Sequence, residues 1–246
     1  MKIAVWFSCG AASAVAAKMT VLLYPDADIR ILNNPVIEED ADNRRFLNDV
    51  SDWIGRPIES VTSRKHPECS AAKIWRDHGF MSGPRGAPCT VELKKWARQE
   101  WEKVNTVDWH VLGFTADEKV RHERFVQTER ENVIPVLITA GVTKSDCYRL
   151  LRNAGLKLPR VYDMGYPNAN CIGCVKATSP TYWNHVRKNH PEVFEARAKL
   201  SREIGCRLVR VRGERIFLDE LSPNITGRPL KNMDFECGIF CEERFG

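Results

Sequence analysis

The sequence predicts an α/β fold: a Rossmann-like, doubly wound parallel sheet followed by a C-terminal helical, cysteine-bearing extension. Three observations carry that expectation. Apolar runs of strand length alternate with helix-length segments through the first part of the chain, as in successive β-α-β units. A turn of small residues, Ser8-Cys9-Gly10-Ala11-Ala12-Ser13, follows the first run, where open α/β sheets carry their ligands. After about Gly165 the alternation gives way to a long helical stretch bracketed by cysteine pairs. The expected division is an α/β domain over 1–165 and an extension over 166–246, packed on the first.

Residues 3–8 read as a buried first strand. They are too short for a secretory core and lack a small-residue cleavage pattern. A small-residue helix over 12–23 and a strand over 28–32 follow. Residues 41–54 place Phe46, Leu47, Val50, Trp53 and Ile54 at helical spacing. A third strand is expected over 58–62. Residues 65–88, with Gly79, Gly83, Pro84, Gly86 and Pro88, read as a mobile loop over a site. Residues 89–104 are helical, with Leu93, Trp96, Ala97 and Trp101 on one face. Strands over 109–114 and 133–138 complete the sheet. A long helix over 179–204 is interrupted near His190-Pro191, because proline disfavours helix at the residue before it. Residues 207–212 and 215–218 alternate around Gly213-Glu214 as a hairpin.

With 246 residues, 43% hydrophobic and 28% charged, the chain has ordinary globular composition. No stretch approaches the ~20 apolar residues of a transmembrane helix, so no membrane role is expected. The net charge of +5 suits an anionic ligand such as a nucleotide and permits nucleic acid. A mixed solvated surface accounts for most of these charges. Nine cysteines without an export signal point to a reducing cytoplasm and to metal or thiol chemistry. Cys171-Ile172-Gly173-Cys174 and Cys237-Gly238-Ile239-Phe240-Cys241 look like two halves of one soft-metal site, for zinc or an iron–sulfur cluster.

At the first turn, a helix N-terminus offers N–H groups and partial positive charge to an anion. The hydroxyls of Ser8 and Ser13 can add hydrogen bonds. A plain strand-to-helix turn would use the same small residues, and both readings stay open. Neither the dinucleotide fingerprint nor the Walker loop is present. Of the basic residues, Lys94, Lys95, Arg121, Arg124 and Lys144 are candidates for phosphate or sulfate oxygens, and arginine is the better bidentate partner. The six histidines show no metal spacing.

The turn resembles the S-G-G-x-D-S loop of the PP-loop ATP pyrophosphatases, with Ala12 at the aspartate position. It is still more similar to the loop of the sulfonucleotide reductases. Further motifs resemble the phosphoadenosine phosphosulfate (PAPS) reductase family in chain order. They are Asn33-Asn34 with Glu38-Glu39-Asp40 after the second strand, Cys89 with Lys94-Lys95, and Gly113-Phe114-Thr115-Ala116-Asp117-Glu118 with Arg121. Tyr162-Asp163-Met164-Gly165-Tyr166 before the C-x-x-C, and Glu236-Cys237-Gly238-Ile239 near the end, complete the set.

The resemblance implies an adenine nucleotide alpha hydrolase-like fold. It implies nucleotide binding by Ser8, Gly10, Ala11, Ser13, Asn33, Asn34, Gly113 and Glu118. It implies a [4Fe–4S] cluster on Cys89, Cys171, Cys174 and Cys241. A structural Zn²⁺ on Cys171, Cys174, Cys237 and Cys241 is the alternative. The implied activity is thiol-dependent reduction of a sulfonucleotide to sulfite. Cys237 is the nucleophile, Arg121 and Lys94 hold sulfate oxygens, and a thioredoxin-like protein is the reductant. Two alternatives stand beside it. One is an ATP-dependent sulfurtransferase, with Mg²⁺, that thiolates or phosphorothioates nucleic acid. The other is a nucleotide-binding non-enzyme with structural zinc.

Overall fold

The structure, a computed structural model, describes residues 1–83 and 86–232. Pro84, Cys237 and Cys241 lie outside the described residues. The chain divides into two compact units that do not follow a single cut in the sequence. Residues 1–35, 41–64 and 97–160 form the first, and residues 36–40, 65–96 and 161–246 the second.

The first unit is built on a four-stranded, all-parallel sheet of the Rossmann-like kind. Its strands are β1 (Lys2–Trp6), β2 (Asp28–Asn33), β3 (Ile58–Ser60) and β4 (Trp109–Val111), in the order β3-β2-β1-β4. Ile3 pairs with Ile29 on one side and Trp109 on the other. Four of the five β1 residues are buried, as expected for a central parallel strand covered on both faces. Between β1 and β2 runs α1 (Ala11–Leu23), whose alanines are buried almost without interruption. Their small side chains allow close approach of the helix backbone. Next comes α2 (Asp42–Ile54), which buries Phe46, Leu47, Val50 and Ile54 and ends at Gly55 in the left-handed conformation. Trp53 is only half-buried, with the Lys18 ammonium 5.4 Å from its ring centre.

Two expectations fail in ways that have a local cause. The fifth strand is absent: one parallel bridge joins His110 to Val133, and α7 (Val136–Thr139) begins directly after Pro135. Proline has no N–H for a ladder. Within residues 65–88, α3 (Ala71–His78) is capped by the Ser70 hydroxyl, which accepts from the Lys73 N–H at 3.2 Å, and stopped by left-handed Gly79.

From Pro88 the chain runs through α4 (Pro88–Thr90), a π turn at Val91–Lys95 and α5 (Trp96–Glu102). Helices α6 (Lys119–Thr128) and α8 (Lys144–Asn153) belong to the first unit, and the short α9 (Arg160–Asp163) begins the return to the second. There α10 (Pro180–Asn189) and α11 (Pro191–Ile204) are separate helices broken at His190. The hairpin is β5 (Val209–Val211) with β6 (Glu214–Ile216). Its turn is Arg212-Gly213, one residue earlier than the alternation suggests. The second unit has its own apolar core around Trp75, Tyr182, Trp183 and Val186. No helix among the described residues is long and apolar enough to cross a membrane.

Candidate functional site

In the first unit the sheet order reverses direction at β1, which lies between β2 and β4. The carboxyl ends of β1 and β4 therefore flank a topological switch point, the usual ligand crevice of open α/β sheets. The turn from β1 into α1 sits there. Cys9 takes a left-handed backbone (φ +56°) although it is not glycine, a costly conformation that clusters at functional sites. Gly10 is the N-cap, and the first turn of α1 contains no acidic residue. The first turn of α1 thus supplies no carboxylate of its own to the positive end of this thirteen-residue helix.

The polar residues around this turn do different jobs. Ser13 is buried. Its hydroxyl accepts from the Ser8 N–H at 3.1 Å and donates to the Gly10 carbonyl at 2.9 Å, so it closes the turn. Ser8 is exposed on the rim, and its hydroxyl donates to Ser13 Oγ. Asn33 braces the turn from β2 by donating to the Phe7 carbonyl at 2.8 Å and to Cys9 Sγ at 3.6 Å. Asn34 donates to the Val61 carbonyl at 2.7 Å. That bond fixes the amide orientation, and its buried Oδ1 has no partner among the described residues. Gly113, just past β4, packs so closely that a Cβ there would lie 2.7 Å from the Ser13 nitrogen. Only glycine lets the chain past β4 lie this close to the first turn of α1.

Glu118 turns inward on its own loop. It accepts from the Thr115 N–H at 3.1 Å and pairs with Arg121 at 2.5 Å. The Arg121 guanidinium also lies 5.2 Å from the Phe114 ring centre. Ser8, Gly10, Ala11, Ser13, Asn33 and Gly113 thus gather at one strand-end cluster, with Glu118 and Arg121 on the loop beyond Gly113.

The second unit holds Cys89, Cys171 and Cys174. Cys171 and Cys174 flank Gly173, which has φ +67°. A Cβ on Gly173 would lie 3.0 Å from Val193 Cγ1, so glycine is required by both conformation and packing. Tyr182 OH accepts from the Cys174 N–H at 2.9 Å. Arg197, from α11, is buried. It donates to the Gly173 carbonyl at 3.3 Å and stacks 4.6 Å from the Trp75 ring centre. Burial lowers its pKa, and the nearby Glu38, Cys171, Tyr182 and Cys174 oppose that shift. Cys89, at the start of α4, packs against the same apolar cluster as Cys171 and Cys174.

Three thiols and a buried guanidinium suit a soft metal whose thiolates need charge compensation. Among the described residues, however, no three His, Cys, Asp or Glu side chains are drawn together as a metal site.

The spacing of the histidines in the sequence does not reveal what the fold does with two of them. Glu92, buried in the π turn, is bonded by the Nε2 atoms of both His66 and His78 and by Lys65 Nζ at 3.3 Å. Burial pushes its carboxyl pKa up, but the His78, His66 and Lys65 hydrogen bonds outweigh that and hold it below the usual range. Lys94, two residues on, is also buried and pairs with Glu39 at 3.5 Å.

No protein-family model matches the chain, and no curated protein matches it.

Proposed function

We propose that this chain is an adenine-nucleotide enzyme of sulfur chemistry that reduces a sulfonucleotide to sulfite. The observation that carries the proposal is the start of α1, where the N-cap is a glycine, at the crevice between β1 and β4, packed tightly against Gly113 and braced by Ser13 and Asn33. A phosphate seats on Gly10, Ala11 and the Ser8 hydroxyl. The unsatisfied Asn34 Oδ1 suits the exocyclic amine of adenine. Arg121 serves an anionic end of the ligand once it exchanges Glu118 for it.

The chemistry assigned to Cys237 follows from the E-C-G-I segment. Its thiolate attacks the sulfonate sulfur, the S–O bond to the nucleotide breaks, and the nucleotide phosphate leaves. One thiol of a dithiol protein then attacks the Cys237 sulfur and sulfite departs; its second thiol breaks the resulting mixed disulfide, which frees Cys237 and leaves the dithiol as a disulfide. The sulfur gains the two electrons that the dithiol loses. Cys89, Cys171 and Cys174, with Cys241, would hold a [4Fe–4S] cluster, and the alternative zinc would take Cys171, Cys174, Cys237 and Cys241. Bound there, a cluster supplies a redox-capable centre and zinc a structural staple.

The test is sulfite release from adenosine phosphosulfate and its 3′-phosphorylated form, with reduced thioredoxin, on anaerobically purified protein assayed for iron, sulfide and zinc. Cys237→Ser is expected to abolish release while nucleotide affinity persists. Full activity in that variant would overturn the nucleophile. A requirement for ATP and Mg²⁺ would transfer the site to the sulfurtransferase reading.

A further inference from the structure

We infer that the β5–β6 hairpin is a phosphate-binding face for a nucleic acid strand. The inference goes beyond the activity proposed above, which needs no polymer. Residues 207–215 read Arg-Leu-Val-Arg-Val-Arg-Gly-Glu-Arg and carry a net +3 of the chain's +5. The placement of these charges matters more than their number.

Arg210 and Arg215 are direct cross-strand partners. Side chains directly opposite share a face, and like charges there repel. Val209 and Ile216, the neighbouring pair, face the other way, and both pack into the core of the unit. The arginine pair therefore faces outward. Arg212 occupies the turn with φ +50°, followed by Gly213 at φ +93°. Asparagine or aspartate is the residue that such a hairpin turn prefers before glycine. The hairpin thus makes two locally unfavourable choices, and both add a cation. Local rules broken without internal compensation point to function.

Compensation by neighbouring acids is absent among the described residues. Arg210 and Arg212 are exposed. The nearby Asp219 and Glu220 are committed to Arg202, at 2.8 Å each. Glu214 pairs across from Val211, off the arginine face. The Arg207 guanidinium is held 5.3 Å from the Phe217 ring centre, and its carbonyl accepts from Arg215 at 3.3 Å. The ribbon is tied to the core at one edge, where the Arg210 N–H donates to the Thr178 carbonyl at 2.8 Å. Ser179, the next residue, donates to the carbonyl of Arg228 at 2.9 Å, which brings a further exposed arginine beside the ribbon.

Arginine forks match phosphate oxygens bidentately, and a two-stranded ribbon is a recurring shape for reading nucleic acid. A membrane surface is the weaker match. Amphipathic membrane binders bury apolar side chains beside their cations, and none of the exposed large apolar residues falls within 200–231.

The test is fluorescence anisotropy of the full chain with short labelled single-stranded DNA, single-stranded RNA and duplex DNA over a salt series. Phosphatidylserine vesicles form a parallel arm. The variant is Arg210→Gln with Arg212→Asn, since asparagine suits the turn and removes its charge. The expected result is salt-sensitive oligonucleotide binding. In the variant it weakens about tenfold at low salt, and the log–log salt slope falls by about two. Unchanged affinity and slope, no oligonucleotide binding by the wild type, or binding to vesicles alone would each overturn the inference. Adenine nucleotide affinity, measured on the same samples, separates the two proposals. Oligonucleotide binding with this salt pattern supports the face even in a chain that binds no adenine nucleotide. A chain that binds the nucleotide but no oligonucleotide overturns the face alone.

Discussion

The turn at Cys9-Gly10 and the turn at Gly173 use the same backbone device for opposite purposes. Each places one residue in the left-handed region, Cys9 at φ +56° and Gly173 at φ +67°. In the first unit the strained residue is followed by an N-cap glycine, and the turn presents a helix N-terminus at the edge of a parallel sheet. In the second the turn is sealed: Cys171 and Cys174 are buried, and Arg197 bonds the carbonyl between them. One region is, on the proposed reading, the place where an anion enters from outside. The other accumulates thiols and supplies its own cation. The difference teaches that a tight turn alone does not identify a ligand. The polarity of what closes over it does.

The largest expected effect breaks the first region only. Gly113→Val drives a side chain into the Ser13 backbone, where even a Cβ would be at 2.7 Å. Overpacking of this kind costs about 3 kcal/mol. Adenine nucleotide binding should vanish in titration calorimetry, while metal content per folded chain stays at the wild-type level. Loss of both together would break the comparison.

The second effect is the mirror of the first. Gly173→Ala forces a Cβ into the left-handed region and to 3.0 Å from Val193 Cγ1, a destabilisation of about 2 kcal/mol. Urea unfolding should report that loss, and metal analysis a lower stoichiometry. Nucleotide affinity should be unaltered.

The third effect, absent near neutral pH and spread over several pH units below it, is a pH dependence that belongs to the first unit. His110 is buried, its Nδ1 accepts from the Trp6 indole N–H at 3.1 Å, and Arg130 crowds Nε2. Burial, then Arg130 and Arg98, push its pKa from 6.5 down to about 3. The unfolded chain takes up a proton that the fold refuses. This contribution is therefore fully present above pH 6.5 and lost as pH falls toward 3. Urea midpoints should decline through that window, and His110→Asn should flatten the decline. An unchanged slope in the variant would remove His110 as the cause.

The parts of this molecule that periodicity governs were legible in the sequence, and the parts that convergence governs were not. β1, α1, β2 and α2 follow from their apolar runs and spacing, Gly10 and Ser13 from the turn after the first strand, and Asn33 and Gly113 only from the resemblance. The strand expected over 133–138 failed because Pro135 withdraws a donor and α7 starts at the next residue. The helix α3 went unread although Ser70 and Gly79 mark both its ends, because the glycines and prolines beyond it dominate the segment. His66 and His78 meet on Glu92 across 26 and 14 residues, a meeting with no local signature. Arg197 looks like any solvated helix cation until α11 is laid against the C-x-x-C turn.

The π turn at Val91–Lys95 has a consequence for how this chain tolerates insertions and deletions. A π turn amounts to one residue more than a regular helix would use, and such turns concentrate at functional sites. Deleting one residue between Val91 and Lys95 would restore a regular helix and leave the register of Cys89 against Trp96 nearly unchanged, because the wide turn absorbs the extra residue. Glu92 would then turn away from His66 and His78. A single codon removed here would cost the contacts of Glu92 while sparing the placement of Cys89.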